Sequence, residues 1–190
     1  LIHKFSEYYG FGTNPESLLE KICISHGIPY ERKIYDQLKI YIDNYIEQYR
    51  DDYEKVYIER PFYLKLNNAY IKGFIDRTNI KDNRAEIVDY KTNKVVNKER
   101  LAEKYIPQLQ LYAYVVKEIM GIEVERARIV FLENGDHFDV PLSHEDLEKN
   151  LDNIVGFINF VSNNKELSQY RKIQRCNEYC KHKDFCLLGE

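Results

Sequence analysis

The sequence predicts an α/β sandwich built around a mixed β-sheet, and three observations carry that prediction. Apolar residues recur at helical spacing over several long stretches. Between and after these stretches the period changes to two. The resulting order is helices, three strands, helix, two strands, helix, which layers helices on a sheet.

Residues 1–9 read as a helix, and residues 15–26 as a second one, with Asn14 placed to cap it before Pro15 at the first helical position. The strongest helix spans 31–51. There Ile34, Leu38, Tyr41, Ile42, Tyr45, Ile46 and Tyr49 form one face, and Asp36, Lys39, Asp43, Asn44 and Glu47 fill the other. Val56, Ile58, Phe62, Leu64 and Leu66 alternate along a first strand, in which Pro61 points to an edge position or a bulge. A second strand is expected over 69–77 and a third over 85–91, joined through the turn-forming Lys81-Asp82-Asn83-Arg84. One long helix is expected over 99–120, ending at Gly121. Strands at 125–132 and 136–140 flank Glu133-Asn134-Gly135-Asp136, a hairpin signal. Ser143 begins a last helix reaching 162, with Asp146 at the capping-box spacing.

With 190 residues, 44% of them hydrophobic and 31% charged, the chain is long enough for one domain with its own core and too apolar to be disordered. No stretch is apolar enough to span a bilayer, and no signal peptide is visible, so a cytoplasmic setting is expected. The chain begins at Leu1 within a helical pattern, which we read as a segment of a longer protein. Net charge of −3 does not point to nucleic acid, but basic residues cluster locally. Lys91, Lys94, Lys98, Arg100 and Lys104 face only Glu99 and Glu103 over one such stretch, a candidate phosphate contact in which Lys94, Lys98 and Arg100 are the DNA-binding residues.

The chemistry rests on the second and third strands. With Asp82-Asn83 as a two-residue loop, counting back along both strands puts Asp76 opposite Asp89, with Cβ atoms about 5 Å apart on one face. Lys91, two residues beyond Asp89, points to that same face. Facing carboxylates repel unless something sits between them, and a divalent cation such as Mg²⁺ or Mn²⁺ is the natural occupant; the alternative is an exposed hairpin whose acids face water, or a longer turn that shifts the pairing. Such an ion can polarise a phosphoryl oxygen and activate water, while a neighbouring lysine offsets charge in the transition state.

Gly73-Phe74-Ile75-Asp76, Ile87-Val88-Asp89-Tyr90-Lys91-Thr92 and Gln108-Leu109-Gln110-Leu111-Tyr112 resemble, in order and spacing, three motifs of the RecB-type nucleases of the PD-(D/E)XK superfamily. The resemblance covers roughly residues 1–140. Glu59-Arg60-Pro61-Phe62 and Tyr105-Ile106-Pro107-Gln108 are most similar to the C-terminal nuclease domain of AddA-like, UvrD-type helicase-nucleases. The resemblance implies a restriction-endonuclease-like core over 1–163, preceded within it by a helical part over 1–52, and a cysteine-bearing tail over 164–190. It implies Asp76 and Asp89 as metal ligands with the Tyr90 carbonyl as a third, Lys91 as the catalytic lysine, and Gln108 and Tyr112 as organisers of the site. It also implies a histidine ligand on an early helix. His3, with Glu7 four residues on, is the choice; His26 is the rival, but Gly27 and Pro29 mark a helix end there.

Cys176, Cys180 and Cys186 are similar to the C-terminal cysteine triplet of iron–sulfur RecB-type nucleases, which implies a 4Fe-4S cluster stapling the tail. The first gap holds three residues rather than the family's commoner two. Cys23 is the one other cysteine for a fourth ligand, or else a small buried hydrophobe, and zinc is the alternative occupant.

The function this implies is metal-dependent DNA hydrolysis, as the exonuclease domain of a helicase-nuclease in double-strand-break repair and recombination. Single-stranded ends would be the substrate. The implied partners are a helicase domain in the same polypeptide and a second helicase-nuclease subunit. The alternatives are a catalytically inactive DNA-binding or scaffold module, and a stand-alone nuclease of CRISPR or phage recombination type.

Overall fold

The computed structural model describes residues 1–166 and 170. Its centre is a five-stranded sheet in the order β1-β2-β3-β4-β5, formed by Lys55–Leu66, Ala69–Lys81, Arg84–Lys91, Glu123–Phe131 and Asp136–Asp139. Every neighbouring pair is antiparallel except β3–β4, which is parallel, so the sheet is mixed as the element order predicts. The parallel step needs a crossover, and the helices between β3 and β4 supply it.

Helices α1 (Ile2–Tyr8), α2 (Pro15–Ser25) and α3 (Arg32–Gln48) cover one face of the sheet. Val88, Tyr90, Val130 and Leu132 from that face pack with Phe5, Leu19, Ile42 and Tyr45. The helical stripe of tyrosines in α3 meets α1 through a ring cluster: Tyr45 lies edge-on to Phe5 at 6.0 Å and to Tyr90 at 5.1 Å. The Tyr45 hydroxyl donates to the Ser6 carbonyl at 3.0 Å, which satisfies the one polar atom this ring buries. Asn14 caps α2 as expected, its side chain accepting from Ser17 N–H at 2.9 Å.

The other face carries Ala85, Ile87, Ala127, Ile129 and Phe131, packed against Leu109, Ala113 and Val116. Here one prediction fails. The single helix expected over 99–120 is two helices, α4 (Lys98–Ala102) and α5 (Ile106–Met120). Pro107 is the cause: it has no N–H for the carbonyl four residues back, and its ring clashes with that carbonyl, so the helix restarts at Ile106. Helix α5 ends at Gly121 in the left-handed conformation (φ 66°).

Turn chemistry fixes the register that positions the site. Asp82 and Asn83 both take positive φ (50° and 57°), the two-residue turn whose twist suits a hairpin. Lys81 therefore pairs with Arg84, and the pairing continues to Arg77 with Val88. In β1–β2, Phe62 pairs with Gly73, and an added Cβ at Gly73 would lie 2.6 Å from the Phe62 ring. The ring also packs edge-on against Tyr112 at 5.7 Å, so it cannot swing away freely. Gly73→Ala is expected to lower stability by about 1–3 kcal/mol, the usual cost of overpacking, read as a lower urea midpoint. An unchanged midpoint would mean the ring relocates without cost.

Residue contacts divide the chain into two units, Leu1–Asp152 and Asn153–Glu190. The sheet and α1–α5 belong to the first. The last helix, α6 (His144–Asn163), begins in the first unit and continues into the second. Ser143 and Asp146 cap it reciprocally, with Asp146 N–H donating to Ser143 Oγ at 3.2 Å and Ser143 Oγ donating to Asp146 Oδ2 at 2.6 Å. In the second unit, Tyr170 folds onto α6, its ring 5.4 Å from Phe160 and its hydroxyl donating to Asn164 O.

Candidate active site

The β2–β3 pairing set by the turn ends at Arg77 with Val88, and Asp76 and Asp89 are the next residues along the two strands. The ladder does not close there in the ordinary way. The Tyr90 N–H donates to the Asp76 carboxylate, at 2.9 Å from Oδ2. Asp76 thereby holds the Tyr90 peptide at the site, while the Tyr90 ring anchors in the core on the α1–α3 side.

Asp89 is 2% exposed and its Oδ2 lies 2.7 Å from Lys91 Nζ. That contact is an ion pair, and beyond Lys91 this oxygen has no polar partner among the described residues. Burial, then the negative charge of Asp76, push the Asp89 carboxyl up to about 6, against the pull of Lys91. Burial also raises the Asp76 carboxyl, opposed by the Tyr90 N–H and by His3. Both carboxyls thus resist ionisation despite the nearby Lys91 and His3, because burial disfavours their charged forms.

Lys91 is fixed from several sides. Besides Asp89 it donates to Gln108 Oε1 at 3.4 Å, and its ammonium lies 4.4 Å from the centre of the Tyr105 ring. Gln108 is held in turn, its amide donating to the Tyr112 hydroxyl at 2.6 Å. Gln108 and Tyr112 are one turn apart on α5, so a single helix face carries the relay to the lysine. Burial raises the Tyr112 hydroxyl to about 12, so it stays protonated near neutral pH.

His3 on α1 reaches the same place: its Nδ1 is 3.7 Å from Asp76 Oδ2 and 3.9 Å from Glu59 Oε1. Glu59 is the residue that sequence reasoning missed. It stands on β1 beside Asp76, between the pairs Ile58–Arg77 and Arg60–Ile75. Its φ of 49° lies in the left-handed region, a conformation that costs a non-glycine residue roughly 1–2 kcal/mol and gathers at functional sites. His3, Glu59 and Asp76 each offer a ligand atom within 4.8 Å of the other two. The turn Asn67-Asn68 could have revealed it, since counting back from Leu66 and Ala69 puts Glu59 opposite Asp76 just as the next turn puts Asp76 opposite Asp89.

Oxygen-rich ligands with one imidazole suit a hard divalent ion such as Mg²⁺ or Mn²⁺. The buried Asp89 carboxylate, whose Oδ2 meets only Lys91 among the described residues, and the raised carboxyls fit that occupant. Other expected residues stand elsewhere. Glu7 pairs with Lys4 rather than with the cluster. His26 ends α2, its ring bonded to the Ile22 carbonyl. Lys98 pairs with Asp136, joining α4 to β5, whereas Lys94 and Arg100 are exposed. Cys23 is fully buried among Leu19, Ile22 and neighbouring apolar residues, where it serves as a packing thiol. Cys176, Cys180 and Cys186 lie outside the described residues. No helix among the described residues is long and apolar enough to cross a membrane.

A family model for the PD-(D/E)XK nuclease superfamily matches residues 14–187. Among curated proteins the chain is similar to an ATP-dependent helicase/nuclease subunit from Streptococcus mutans, 32% identical over 93 residues, which is 46% of this chain and 8% of that protein. The like-named protein of Streptococcus pyogenes is 30% identical over 103 residues, 50% of this chain and 8% of that protein. That of Streptococcus agalactiae is 32% identical over 80 residues, 39% and 7% respectively. The matched region is thus less than a tenth of the length of these relatives.

Proposed function

The chain belongs to the PD-(D/E)XK nuclease superfamily, and from that premise we propose that it hydrolyses DNA phosphodiesters with a divalent metal, Mg²⁺ or Mn²⁺. The observation that carries this reading is the meeting of Asp76, Asp89 and Lys91 at one break in the sheet, where the buried Asp89 carboxylate is ion-paired to the lysine beside a second acid. Asp76, Asp89 and the Tyr90 carbonyl would hold the ion, with His3 and Glu59 completing its surroundings. The ion would supply Lewis-acid activation of the phosphate and of water. Lys91 orients the attacking water and offsets charge on the phosphoryl oxygens, because Asp89 and Gln108 hold its ammonium in place. Tyr112 keeps Gln108 in the rotamer that accepts from Lys91.

The likeness to helicase/nuclease subunits supports a finer reading, an exonuclease module that trims strands delivered by a helicase motor in the same polypeptide, with a second subunit, during double-strand-break repair in the cytoplasm. The intact acids and lysine favour this over a retired scaffold module. A 4Fe-4S cluster stays a proposal drawn from the cysteine triplet, and a core thiol such as Cys23 would have to leave its packing to join it.

The deciding experiment is cleavage of end-labelled single- and double-stranded DNA against Mg²⁺ and Mn²⁺ concentration, for wild type, Asp76→Asn and Glu59→Gln. We expect metal-dependent cleavage by wild type, none by Asp76→Asn, and a higher metal requirement for Glu59→Gln. Equal cleavage by wild type and Asp76→Asn, or cleavage that survives chelation, would overturn the proposed site.

A further inference from the structure

Beyond Arg77 the β2 strand leaves its ladder with β3 and pairs with β1 as far as Leu66 and Ala69. One face of this hairpin, with Phe62, Leu64, Ile71 and Ile75, belongs to the core. The other is in solvent, and the register lines up three cross-strand pairs on it: Pro61 with Phe74, Tyr63 with Lys72, and Lys65 with Tyr70. Tyr63, Tyr70 and Phe74 are 64%, 72% and 48% exposed, so three large rings of one strand face are left in water together. The Lys72 ammonium sits between two of the rings, 5.5 Å from Tyr63 and 5.9 Å from Phe74.

The face is basic as well as aromatic. Lys65 and Lys72 have no carboxylate partner among the described residues, and the next residues in alternation along the two strands are Glu59 and Asp76 of the candidate active site. Successive same-face residues on a strand are about 7 Å apart, so Tyr70, Lys72 and Phe74 form a track of about 13 Å that ends on the metal-ligand cluster. Rings offer their faces to bases of any sequence, and ammonium groups interleaved with them suit the phosphates.

We propose that this hairpin face is a binding track for single-stranded DNA, on which bases stack against Tyr63, Tyr70 and Phe74, Lys65 and Lys72 meet phosphates, and the strand is led to the carboxylates. The track names the residues that would hold such a strand, and it rests on the nuclease reading above. A duplex keeps its bases stacked on one another and cannot use the rings.

The test is anisotropy of a labelled oligothymidylate with the protein in chelator, where nothing is cut, alongside cleavage of the same strand in Mn²⁺. The triple variant Tyr63→Ala/Tyr70→Ala/Phe74→Ala is expected to weaken binding about tenfold or more. The exchange variant Tyr63→Phe/Tyr70→Phe/Phe74→Tyr, which keeps every ring, is expected to bind like wild type. An abasic strand of equal length should bind wild type as weakly as the thymidylate binds the alanine variant, a readout that needs no altered protein. If wild type binds abasic and thymidylate strands equally, or the alanine variant binds within twofold of wild type, the track is refuted and the face serves another occupant, such as a protein segment. Ring-dependent binding without any cleavage would uphold the track and refute the nuclease reading; cleavage with ring-independent binding would do the reverse.

Discussion

Lys91→Ala is expected to lower the rate of metal-dependent DNA cleavage at least a hundredfold while leaving the divalent ion bound. Removing one preorganised group aimed at developing charge typically costs a factor of about 10²–10³. Lys91 is such a group: only 16% exposed, 2.7 Å from Asp89, 3.4 Å from Gln108 Oε1 and seated on the Tyr105 ring. A positive charge beside Asp76 and Asp89 competes with an incoming cation, so its loss should leave calorimetric Mn²⁺ affinity equal or higher. Metal binding and cleavage should therefore move apart, which a merely unfolded variant would not show. Lys91→Arg should not restore the rate, because a planar guanidinium cannot occupy the point between Asp89 and Gln108 that a compact ammonium fills. Gln108→Ala is expected to have a smaller effect, since it acts through the lysine's position. Cleavage at the wild-type rate by Lys91→Ala would remove the lysine from the mechanism.

The parts of this site that could be read from sequence are those fixed by local turn chemistry. Asp82-Asn83 sets a two-residue turn, the turn sets the register as far as Arg77 with Val88, and Asp76 and Asp89 follow next on the two strands with Lys91 beside Asp89. Glu59 escaped because its role depends on two things at once: the register of the neighbouring hairpin and a positive φ that the residue type does not announce. The division of α4 from α5 was legible in Pro107, whose missing N–H outweighs the apolar periodicity that runs across it. The hairpin face follows the same logic as Glu59. Its alternation of Tyr63, Lys65, Tyr70, Lys72 and Phe74 is in the sequence, but which face the core takes is decided by packing against α5.

Asp89→Asn should abolish cleavage and, in the metal-free protein at neutral pH, raise stability by on the order of 1–3 kcal/mol. Two effects oppose each other at this residue. The ion pair with Lys91 favours the carboxylate, and truncating one partner of a buried pair usually destabilises. Burial and the charge of Asp76 disfavour it, and they prevail, since the carboxyl is raised from 3.8 to about 6. Well below about pH 4 the carboxyl is protonated in both folded and unfolded chains and costs nothing. As pH rises from about 4 to about 6 the unfolded chain ionises first, and folded stability falls. Above about 6 the full penalty stands, about 3 kcal/mol for a carboxyl raised that far. Metal-free wild type should therefore lose stability through this group between about pH 4 and about pH 6, and the difference between wild type and Asp89→Asn in thermal melts should grow over the same range. Added Mn²⁺ should close the gap by stabilising wild type alone, since binding to the folded state is what offsets the repulsion. If the asparagine variant instead melts lower at about pH 7.5 without metal, the Lys91 pair outweighs burial and Asp76, and the carboxylates are held by the fold itself rather than awaiting an ion.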